Sequence, residues 1–72
     1  MTKSELAEWG RKEAARRAAD MANVNSAESL ARVQKACAER RKAIGLSRGE
    51  AARWVLVGQR LERGESLEVA LR

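Results

Sequence analysis

Apolar residues recur at helical spacing through most of the chain, and the interruptions of that rhythm mark out the elements. Ala7, Ala14, Ala18, Met21 and Ala22 form a first stripe, with Leu6 at its margin and Trp9 rotated away from it. Thr2 followed by Glu5 fits a capping box, with Ser4 as a competing cap, so the first helix is predicted over about residues 3–22. Its alanines, four apart, let a second helix come close but bury little area. Asn23-Val24-Asn25-Ser26 interrupts the pattern, and Asn25 with Glu28 offers a second capping box. A second helix over about 26–44 follows, with Leu30, Val33, Cys37 and Ile44 on one stripe, Ala27 and Ala36 at its edges, and Glu28, Arg32, Lys35, Glu39 and Lys42 opposite.

Gly45 to Leu61 is the stretch around which the rest is organised. Gly45 supplies a left-handed helix end that a residue with a Cβ resists, and Leu46 is placed to pack back on the finished helix. Ser47 with Glu50 is the clearest capping box in the chain, opening a third helix over about 48–63. Ala51, Trp54, Val55, Gly58 and Leu61 form its core stripe, and Leu56 and Val57 fall outside it. Gly64 stops this helix, Ser66 caps a last turn, and Leu67, Ala70 and Leu71 are predicted to fold over the core at about 66–71. With no proline and no strand-like alternation, the expected fold is all-α. It is a single helical domain spanning residues 1–72, with three helices and a short C-terminal helical turn, in a small bundle or hairpin that is expected to be dimeric.

Composition sharpens that last expectation. A 72-residue chain buries only about 60% of the surface its unfolded form exposes. With two Trp and no Phe or Tyr, this one has few large side chains to build with. Small scaffolds make up such a deficit with disulfides, a metal or association. One cysteine and no histidine leave association, either with a second copy or with another protein. A lone cysteine suits a reducing cytoplasm, and no window approaches the roughly 18 apolar residues of a membrane span. No membrane contact is expected.

The residue types also bound the chemistry. Without His or Tyr, and with Cys37 on an apolar helix face, no nucleophile has a recognisable base, so no catalytic residues are expected. No cofactor or metal is expected either, since no ligand spacing or phosphate loop occurs. Fifteen Lys plus Arg against ten Asp plus Glu give a net charge of +5, which favours an acidic partner. Arg40, Arg41, Lys42 and Arg48 converge on the turn before the third helix, where exposed backbone amides also favour an anion.

The segment Arg40-Arg41-Lys42-Ala43-Ile44-Gly45-Leu46-Ser47-Arg48-Gly49-Glu50-Ala51-Ala52 resembles the first helix and turn of repressor-type helix-turn-helix domains. That resemblance implies a short second helix, a turn and a recognition helix. Here Trp54-Val55-Leu56-Val57-Gly58 continues without a break toward Arg63, so no functional residue is carried over.

Two functions compete on these grounds. The first is a small non-enzymatic helical interaction protein, in the style of phage inhibitors and adaptors, that self-associates and binds another protein through Trp9, Trp54, Leu56, Val57 and Leu61. The second is a basic DNA-binding regulator that sets Arg40, Arg41, Lys42 and Arg48 against phosphates.

Overall fold

The computed structural model describes residues 1–72 and is entirely helical: α1 (Lys3–Ala22), α2 (Ala27–Ala43), α3 (Arg48–Glu62) and α4 (Leu67–Ala70). Each start is fixed by a side-chain cap. Thr2 and Ser47 accept from the amides of Glu5 and Glu50, whose carboxylates accept in return from the cap amides. Helix α2 starts one residue later than its Asn25 cap predicts. Ser26 is the cap, and Ser29 rather than Glu28 closes the box. A serine hydroxyl three residues on reaches the same amide that a longer carboxylate serves elsewhere.

Two glycines end α2 and α3 in the same way. Gly45 and Gly64 have φ of 75° and 96°. Leu46 N–H donates to the Arg41 carbonyl and Gly45 N–H to that of Lys42. Glu65 and Gly64 repeat this on Arg60 and Leu61, which closes the open carbonyls of both helices in Schellman turns.

The core is the contact of α1 with α3, and it is made at two other glycines. A Cβ placed on Gly10 would overlap the Trp54 carbonyl, and one on Gly58 would overlap the backbone of Gly10 and Arg11. The two backbones therefore touch, at the place where each helix has no side chain. Ala7, Val57 and Ala70 form the buried apolar cluster beside this contact, with Trp54, Leu61, Leu67 and Leu71 packed on it. Arg60 secures α4 by donating to the carbonyls of Ala70 and Arg72. Two expectations are corrected here. Val57 does not lie outside the core but is 4% exposed, because α4 returns over that side of α3. Of the expected α1 stripe only Ala7 is buried, joined by Gly10 and Glu13, while Ala14 is half-buried and Ala18, Met21 and Ala22 are exposed, since α3 approaches α1 only at Gly10.

Helix α2 stands apart from this arrangement and buries no residue completely. The radius of gyration is 12.7 Å, where about 11 Å is usual for a closed domain of this length. The accessible surface is 5065 Å², about 600 Å² more than the about 4,450 Å² expected for 8.0 kDa. No helix is long and apolar enough to cross a membrane.

Candidate functional site

Helix α2 stands off from α1 and α3. A cleft of about 650 Å³ opens there, floored by Met21, Leu30, Val33, Cys37, Ala38 and Ala52. Leu30, Val33 and Cys37 are the stripe that helical spacing assigned to α2, so the local pattern is as expected. What differs is that the stripe faces a cleft and not a closed core. Arg17 from α1, Arg41 from α2 and Arg48 from α3 stand around it with Gln34.

Ion pairs tie α2 to α1. Glu13 on α1 is buried, with 1% of its side chain exposed. Its carboxylate accepts from Arg40 Nε on α2, at 2.5 Å to one oxygen and 3.2 Å to the other. Arg17 Nε lies 3.6 Å from the same carboxylate, and Arg40 also reaches Asp20 at 3.5 Å. Burial is the largest influence on Arg40 and works to lower its pKa. The hydrogen bond and charge of Glu13, with smaller contributions from Cys37 and Asp20, together outweigh it, and the pKa is raised. A charge this deep holds its place only when it is paired, so the pair fixes the standing of α2 against α1.

On the far side, α1 and α3 are joined through Arg11, which donates to Glu8 and, at 3.2 Å, to Glu62. The Glu8 hydrogen bond, and then that of Glu62, hold the Arg11 pKa above its usual value.

The structure separates the residues that sequence grouped as sites. Of the four basic residues at the turn, Arg40 is engaged by Glu13 and Asp20, and Arg41 donates to the Leu46 carbonyl at 3.1 Å. Lys42 and Arg48 are exposed. The four therefore do not form one open cationic cluster. Among the apolar candidates, Val57 is buried, Trp54 and Leu61 pack on the core cluster, Trp9 is half-buried, and Leu56 is 61% exposed. Met21, Leu30, Val33 and Ala52 were not among the sequence candidates; the apolar stripes of α1 and α2 carried Met21, Leu30 and Val33, and nothing in the pattern marked Ala52. No group of three or more acidic or cysteine side chains is placed to hold a metal ion. Compared with known proteins, the chain matches no family model, no curated protein and no solved structure.

Proposed function

We propose that this chain is a non-enzymatic helical interaction protein that binds another protein through the α2 cleft, acting as an inhibitor or adaptor of that partner. One observation carries the reading: an amphipathic helix with Leu30, Val33 and Cys37 on its apolar stripe buries no residue completely in a chain with few large apolar residues to spare. An open apolar groove between helices is a common receptor for a partner helix. The expectation of association through α3 has less support, because of Trp54, Leu56, Val57 and Leu61 only Leu56 stays exposed. DNA binding also has less support, because Arg40 and Arg41 are engaged within the chain.

A photoreactive benzophenone side chain tests this in cells. Placed at Val33 in the cleft, it is expected to give a covalent adduct with a discrete protein, and placed at exposed Arg32 it is expected to give none. No adduct at Val33, or the same adducts from both positions, would contradict the reading.

A further inference from the structure

We infer that the α2 cleft receives an amphipathic helix with acidic flanks, presented by a partner protein. This rests on the interaction reading above and adds the chemistry of the partner. The cleft is apolar along its floor and cationic around its edge. Three arginines line it and no carboxylate does. Two of these arginines have donors to spare. Arg48 is exposed and makes no hydrogen bond or ion pair within the chain, and Arg17, whose buried Nε faces Glu13 at 3.6 Å, keeps 31% of its side chain exposed and makes no hydrogen bond with its terminal nitrogens. Guanidinium groups held at the edge of an apolar floor suit carboxylates, which they bind in paired geometry. An acidic helix would place carboxylates on Arg17 and Arg48 while its apolar stripe covers Leu30, Val33 and Cys37.

The dimensions agree with one helix. From Leu30 to Arg41 the cleft runs about 16 Å along α2, three turns of a helix laid against it. A second copy of this chain is a poorer occupant. It carries the same net charge of +5, and pairing cleft to cleft about a two-fold axis would bring the edge arginines of both copies together.

Selection of displayed peptides against the full chain tests the inference. The library would hold helical peptides of about 18 residues, roughly 27 Å long, with a fixed leucine and alanine stripe and every other position randomised. Enriched peptides are expected to be rich in Glu and Asp beside the stripe. Their affinity, read by fluorescence anisotropy, is expected to fall at least tenfold, about 1.4 kcal/mol, with Arg17→Gln plus Arg48→Glu. It should fall as far with Val33→Asp and be unchanged with Leu56→Asp. Circular dichroism of each variant separates lost binding from lost fold. Enrichment of neutral or basic peptides that still depend on Val33 would overturn the acidic occupant and leave the interaction reading standing. Enrichment of nothing that depends on Val33 would overturn both. A doubled mass in light scattering that Val33→Asp returns to monomer would assign the cleft to a second copy, and binding of a DNA duplex lost in the double arginine variant would assign it to nucleic acid. Either result overturns the acidic helix.

Discussion

Arg40 of α2 donates its Nε–H to the carboxylate of Glu13 on α1, a side chain with 1% of its surface exposed, while Arg40 keeps 22% of its own. Removing the acid leaves two arginines facing each other at the α1–α2 contact. Breaking a fully buried pair costs about 3–5 kcal/mol, and the partial exposure of Arg40 and Arg17 lowers the figure here to about 2–4 kcal/mol. Glu13→Ala is thus expected to lower stability in urea unfolding by that amount. Glu13→Leu with Arg40→Met should cost less than Glu13→Ala alone, because it removes the buried acid and its main arginine together and leaves only Arg17 and Asp20, both partly exposed, without these partners. Equal losses in the two variants would contradict a pairing role.

The glycines divide into two classes that an alanine scan separates. At Gly10 and Gly58 a methyl group meets backbone, which no rotamer change relieves. Gly10→Ala or Gly58→Ala is expected to destabilise by about 2 kcal/mol or more, despite alanine's helix propensity. Gly49 lies in the first turn of α3 with nothing within 4 Å of an added Cβ. Gly49→Ala should leave stability unchanged or raise it by up to about 1 kcal/mol. Thermal melts of the three variants check the ordering.

Acid should loosen the helix starts first. The backbone amide and hydroxyl of Ser47 hold Glu50 below the usual glutamate value of 4.5, and those of Thr2 do the same for Glu5. The hydrogen bond from Arg11 lowers Glu8 likewise. A carboxyl whose pKa is depressed in the folded state contributes fully above its unfolded value. That contribution is lost as pH falls through the lower, folded value. Helicity followed by circular dichroism is therefore expected to hold from neutral pH to about 4.5 and to decline below it. Glu50→Ala should weaken the decline. A melting temperature independent of pH down to about 3 would contradict this account of the caps.

Much of the fold was legible in the chain because caps and helix-ending glycines act within a few residues. Thr2 with Glu5, Ser47 with Glu50, Gly45 and Gly64 each serve the helix ends they were assigned. Which face each helix buries was less legible, because that depends on a partner distant in sequence. Ala14 and Ala18 looked like the inner side of α1 by apolarity alone. The close approach of α3 follows Gly10, whose lack of a side chain carries no weight in a hydrophobic pattern. A glycine inside a long helix, costly at about 1 kcal/mol against alanine, was the available signal for that contact. Glu13 was hidden for the same reason, since nothing local marks a carboxylate that will be buried beside an arginine 27 positions on. The stripe of α2 was read correctly as apolar, but periodicity does not say whether a stripe will be covered.

The measurement that bears most directly on the whole account is the thermal unfolding of Val33→Asp beside Val57→Asp. Both replace a valine on an apolar helix face by a charge, yet Val33 lines the open cleft and Val57 is 4% exposed in the core. The account predicts that Val33→Asp stays folded, within about 1 kcal/mol of the parent, while Val57→Asp loses about 3 kcal/mol or more and fails to fold cooperatively. Equal collapse of the two would contradict it, and would mean that the face of α2 is closed core and not a surface held open for a partner.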